Sequence, residues 1–177
     1  MGASIPVGSD PLAIATDPTT DTIYAANFEG ASVSVINGRT NQVTATIGVP
    51  ALPGGIAADP QAGKIYVSSD ESSTVSVISE KTSTVTGSIR VGLTPGGVAV
   101  DPRTDRIYVT SEHDNTVSVI SGQSGQVRAT VAVGRLPEGI AIDPATHHIF
   151  VTSSFVDNNA PSAGLRVGAA PPGAAGR

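Results

Sequence analysis

The chain has 177 residues, enough for one domain with a substantial core, and only 14% of them are charged against roughly 25% in a typical soluble protein. Ser, Thr, Asn and Gln must therefore wet much of the surface, while aromatics at 3% leave Val, Ile and Ala to build the interior. A net charge of -5 gives no electrostatic footprint for nucleic acid or an anionic membrane, and zero cysteines rule out disulfides, thiolate zinc sites, iron–sulfur clusters and haem attached through CxxCH.

In chain order, "SIPVG" at 4–8 reads as a short outer strand, followed by a small-residue run ending in Asp17-Pro18. The β-branched/aromatic triplet Ile23-Tyr24-Ala25 and the alternating run Val33-Ser34-Val35-Ile36 come next. The order then recurs. Asp-Pro falls at Asp17, Asp59, Asp101 and Asp143, each 42 residues after the last. Ile65-Tyr66-Val67, Ile107-Tyr108-Val109 and Ile149-Phe150-Val151 keep step with it. In the second unit the strand-like runs are 55–59, 64–69, 74–79 and 85–91, rich in Val, Ile and Thr and separated by Gly, Pro, Asp and Ser. No stretch keeps a helical period.

Four strands in roughly 40–45 residues make one blade of a β-propeller, as in WD40-type repeats. The expected fold is all-β: a propeller of four-stranded antiparallel blades on a 42-residue repeat. About 3.5–4 blades are encoded, an incomplete ring. The repeat segment spans 1–157, with units at about 3–46, 47–88, 89–130 and 131–157. Residues 158–177 are either a degenerate repeat or an Ala/Pro/Gly-rich tail. "RVGAAPPGAA" echoes the earlier "RVGLTPGGVA", but Val133 to Val167 is 34 residues rather than 42. The third-strand run has no copy in the last unit, so the arc has open ends.

The unit "VGLTPGGVAVDPRTDRIYVTSEHDNTVSVISGQSGQV" resembles the YVTN β-propeller repeat family, the YncE-like group. The four-letter signature is never literal here: "YAAN", "YVSS", "YVTS" and "FVTS" occupy its place. The resemblance covers about residues 5–153. It implies a ring of about seven blades, export to the periplasm or cell surface, and for most members no assigned reaction. "MGASIPVGSD" itself has no basic head or apolar stretch of a signal peptide, and no apolar run approaches the ~18 residues of a membrane span.

The small number of charged residues in this chain narrows the site. Asp17, Asp59, Asp101 and Asp143 are read as turn residues that accept backbone N–H groups beside a Pro of preset φ. Tyr24, Tyr66 and Tyr108 are read as core residues with a wet hydroxyl. The second-to-third-strand loops and the loops leading into each inner strand share one face, the usual ligand face of a propeller. They carry the ligand-face candidates Glu29, Asp70, Glu71, Glu112, His113, Asp114, Arg135 and Glu138, with Asp10 and Asp157 nearby. This acidic face suits a cation or basic ligand, with Ca²⁺ as the one cofactor to consider. Without EF-hand spacing, solvated turn residues explain the same loops, and no cofactor, metal ligand set or catalytic residue is assigned. His147-His148 falls in the Asp-Pro hairpin on the other face and is read as turn surface.

The resulting expectation is a non-enzymatic binding or scaffold module whose ligand is a protein or a small molecule. One alternative is a propeller enzyme, a metal-dependent lyase or lactonase-like hydrolase with its site on the acidic face. The other is a truncated propeller fragment without autonomous function. Nucleic acid is not an expected partner, and the open arc suggests a homodimer that closes the ring.

Overall fold

The computed structural model describes residues 4–154 and, for the backbone alone, residues 166–168. Every element in them is a strand. The first sheet contains β1 (Pro11–Asp17), β2 (Thr22–Asn27), β3 (Ser32–Asn37) and β4 (Gln42–Gly48). The second contains β5 (Pro53–Asp59), β6 (Lys64–Ser69), β7 (Thr74–Ser79) and β8 (Thr84–Arg90). The third contains β9 (Pro95–Asp101), β10 (Arg106–Ser111), β11 (Thr116–Ser121) and β12 (Val127–Ala132). The fourth contains β13 (Pro137–Ile142), β14 (Ile149–Ser153) and β15 (Arg166–Gly168). Each sheet is an antiparallel meander in sequence order.

The turns repeat as faithfully as the strands. Positive φ recurs at Asp21, Gly63, Asp105 and His147, and again at Asp10, Leu52, Thr94 and Leu136. Each Asp of the Asp-Pro pairs receives hydrogen bonds from the turn that follows it. Asp17 takes Thr19 N and Asp101 takes Arg103 N, at 2.7 and 3.1 Å. Asp59 takes Gln61 N and Asp143 takes Ala145 N, at 3.1 and 2.9 Å. Burial alone would raise the pKa of Asp17 and Asp101, but the Thr19 and Thr20 hydrogen bonds to Asp17, and those of Thr104, His147 and Arg103 to Asp101, outweigh it and both fall below the ordinary value.

The strands are arranged radially. The inner strands β1, β5, β9 and β13 pack against one another in succession, while β8 and β12 lie almost wholly exposed at the outside. Between sheets lie three apolar clusters. Tyr24, Val33 and Val35 of the first sheet pack with Ile56, Ile65 and Ile78 of the second. Tyr66 and Val75 then pack with Val98, Ile107 and Ile120, and Tyr108 and Val117 with Ile140, Ile149 and Val151. Each fully buried Ile or Val contributes about 1.5–3 kcal/mol, so the sheet junctions hold the fold.

Close approach of the inner strands explains the repeated glycines. A Cβ on Gly55 would collide with Gly96 O of the next sheet, and one on Gly97 would lie 2.5 Å from Glu138 O. Two hydroxyls bind across the same junctions. Ser68 Oγ donates to Gly96 O at 2.6 Å, and Thr110 Oγ1 to Glu138 O at 2.9 Å.

Three expectations change. Residues 4–8 form no strand, because no neighbouring third strand offers them a ladder. The tyrosines are core residues, but the Tyr66 hydroxyl is buried without a hydrogen-bond partner rather than wet. Burial pushes its pKa up to about 12, with the charges of Asp59 and Asp105 adding to the effect. His147 is not plain turn surface, since its Nδ1 lies 2.7 Å from Asp101 Oδ2 of the preceding sheet.

Candidate functional site

One repeated backbone bond builds the ligand face. In every sheet the first residue of the second-to-third-strand turn donates its N–H to the linker before the inner strand. The pairs are Phe28 to Asp10 O, Asp70 to Leu52 O, Glu112 to Thr94 O and Ser154 to Leu136 O, at 2.8–3.1 Å. This bond folds each turn inward over the start of its inner strand. Three residues 42 apart, Phe28, Asp70 and Glu112, thereby reach one cleft.

The cleft has a volume of about 530 Å³. Its floor is the inner-strand backbone at Gly54, Gly55, Gly96 and Gly97, where no side chain fills the space. Leu12, Phe28 and Ile56 supply apolar walls, and Asp70, Glu112 and Glu138 supply carboxylates. Among the described residues, no Lys, Arg or His lines it. A Cβ on Gly96 would lie 3.1 Å from Glu112 Oε1, so the missing side chain makes room for this carboxylate. Burial pushes the Glu112 carboxyl above its ordinary pKa, and the charges of Glu138 and Asp70 push the same way. Ser154 Oγ donates to Glu138 Oε1.

Of the sequence candidates, Asp70, Glu112 and Glu138 line the cleft; the others lie outside its lining. Glu29 is exposed and accepts from Ser9 Oγ at 3.3 Å. Glu71 and Arg135 are exposed. His113 Nδ1 meets Thr94 Oγ1 at 2.8 Å, and Asp114 accepts Leu93 N at 2.8 Å, so both brace the linker into β9. Asp10 contributes its carbonyl to the turn bond, and Asp157 lies outside the described residues. Among the described residues, no three His, Asp or Glu side chains converge closely enough to hold a metal ion. Asp17, Asp59, Asp101 and Asp143 close the inner strands at the ends away from the cleft.

Sequence reading missed Phe28, whose signal was an aromatic at the first turn position, where the other units carry Asp70, Glu112 and Ser154. It also missed Glu80, at the opposite end. Burial and the neighbouring Asp17 push the Glu80 carboxyl up to about 7, and its Oε1 is buried without a hydrogen-bond partner. Nothing local to Glu80 announces a partner 63 residues earlier.

Radial four-stranded antiparallel sheets sharing an inner-strand axis define a β-propeller, here an arc rather than a closed ring. No protein-family model and no curated protein matches the chain, so the resemblance to YVTN repeats rests on the residues quoted above. Among solved structures the chain is similar to Kuenenia stuttgartiensis hydrazine synthase, with a TM-score of 0.80 and 24% identity. The match covers 89% of this chain and 46% of that one, so this chain spans about half the length of its structural relative. At that identity the likeness carries the fold alone. Among the described residues, no helix is long and apolar enough to cross a membrane.

Proposed function

We propose that the chain is a non-catalytic binding module of the YVTN-propeller type, and that its axial cleft takes a ligand with a cationic amine or guanidinium on an apolar body. A basic peptide side chain is the simplest such ligand. The observation that carries this reading is the lining of the cleft: a bare glycine floor and apolar walls, with Asp70, Glu112 and Glu138 as the charged groups. A glycine floor lets a ligand approach the backbone, and three spread carboxylates suit a diffuse cation better than a small metal ion, which needs converging oxygens. An incoming positive charge also relieves the repulsion among the three. Hydrolase chemistry has less support, because His113 engages Thr94 outside the cleft lining.

The test is calorimetric titration of the chain with Arg- and Lys-containing peptides, their norleucine counterparts, and CaCl₂. The basic peptides are expected to bind, less tightly at high salt and in Glu112→Gln. Affinity should also fall as pH drops through the raised Glu112 range, because protonation removes the charge the ligand needs. Equal binding of the norleucine peptides, or no binding of basic ones at millimolar concentration, would overturn the reading.

A further inference from the structure

We infer that a second copy of this chain closes the ring, the two arcs joining head to tail into a propeller of eight four-stranded blades. The inference goes beyond ligand choice and stands on the ends of the arc.

Every internal junction follows one rule. The aromatic of the second strand in one sheet packs with two aliphatics of the next: Tyr24 with Ile56 and Ile65, Tyr66 with Val98 and Ile107, Tyr108 with Ile140 and Ile149. Continuing by 42 residues, the fourth sheet offers Phe150 and the first sheet offers Ile14 and Ile23. These are the two halves of a fourth junction, and they lie at opposite ends of the chain. Ile14 is 68% exposed and Leu12 60%, whereas Ile56, at the position of Ile14, is 7% exposed. One copy therefore does not close on itself. The polar link has its continuation too: Thr152 occupies the position of Ser68 and Thr110, whose hydroxyls donate to the carbonyl of the next inner strand. The matching acceptor is Leu12 O.

The strands show the same complementarity. The linker at Ser9 and Asp10 makes the bond to Phe28 that the internal linkers make after an outer strand. Residues 4–8 therefore arrive as an outer strand would, without a partner sheet. Among the described residues the fourth sheet has three strands, and β15 pairs only with β14. Residues 4–8 of one copy fit as the missing outer strand of the other copy's fourth sheet. The fifteen strands of the described residues and this segment together make up four four-stranded blades. Two chains make eight, within the range that propellers adopt, and no sheet edge at a junction is left open.

The test is light scattering across micromolar concentrations. The expected mass is twice that of the 17.7 kDa chain. Ile14→Glu places a charge on one end, and Ala141→Arg on the other; both residues are exposed in the single arc. Each variant alone should give the single-chain mass with an unchanged β spectrum. Mixing them should restore the doubled mass, since one junction is then native and the other pairs Glu with Arg. Should either variant lose its β spectrum, Ile14→Cys with Ala141→Cys in this cysteine-free chain decides, by an interchain disulfide limited to two chains. A single-chain mass for the unmodified protein, a growing series of larger species, a doubled mass surviving in Ile14→Glu, or no recovery on mixing of folded variants would each overturn the inference. Loss of amine binding with a doubled mass would fault only the ligand.

Discussion

His147 Nδ1 stands 2.7 Å from Asp101 Oδ2, so the β13–β14 turn of the fourth sheet is pinned to the end of β9 in the third. Asp101 is 3% exposed and also takes Arg103 N and Thr104 Oγ1. Removing the carboxylate disturbs all three donors, whereas removing the imidazole disturbs one. Asp101→Asn should cost about 2 kcal/mol and His147→Ala about 1 kcal/mol in urea unfolding. The double variant should cost little more than Asp101→Asn. Additive losses would mean the two residues act separately.

Glu80 sets a pH dependence of a different kind. Its pKa in the folded chain is about 7 against an ordinary 4.5, with burial first and Asp17 second among the causes. The folded state therefore holds a proton that the unfolded state has released, and stability declines as pH rises from 4.5 through 7. Glu80→Gln should remove this decline. It should stabilise the protein at pH 8 by roughly 1–2 kcal/mol, after allowance for screening of a partly buried group, and change little at pH 4.5. Chemical unfolding of both chains at the two pH values checks the sign.

Gly97 and Gly54 give a paired test of blade packing. A Cβ on Gly97 would meet Glu138 O and Ile140 of the next sheet, while on Gly54 the nearest atom is Pro95 O at 3.9 Å. Gly97→Ala should cost about 1–3 kcal/mol by forcing two sheets apart. Gly54→Ala should be neutral or slightly stabilising through the unfolded chain. Thermal unfolding distinguishes them; equal losses would show that the floor glycines serve something other than junction spacing.

Glu112→Gln should act in opposite directions on stability and binding. It removes a carboxylate that burial, Glu138 and Asp70 all disfavour in its charged form. At pH 7 the free protein should become more stable by a few tenths of a kcal/mol to about 1 kcal/mol, while affinity for basic peptides falls. A variant less stable than its parent would indicate that Glu112 is held for packing instead.

The blades themselves were legible in the chain. The runs read at 64–69 and 74–79 coincide with β6 and β7, and the Asp-Pro turns close β1, β5 and β9. These features are local. Strand alternation, Asx turns and preset Pro φ act within a few residues, and a 42-residue repeat states them four times. The acidic face was legible as a set of loops, but not its division. Asp70, Glu112 and Glu138 meet at the cleft while Glu71, His113 and Asp114 do not, because adjacent turn residues point apart and only the inward bond of Asp70 and Glu112 to their linkers selects the inner ones.

By itself, then, the amino-acid sequence determined the unit: four strands, their turns, and the apolar faces that must be covered. Tertiary structure decided everything that joins one unit to the next. It set Glu80 beside Asp17, His147 on Asp101 and the Tyr66 hydroxyl in a dry junction. It also left Ile14 in water while Ile56 is buried. These outcomes depend on the angle and spacing at which sheets pack, which side-chain volumes at the junctions set. Residues 46 or 63 positions apart carry no local signal of that geometry.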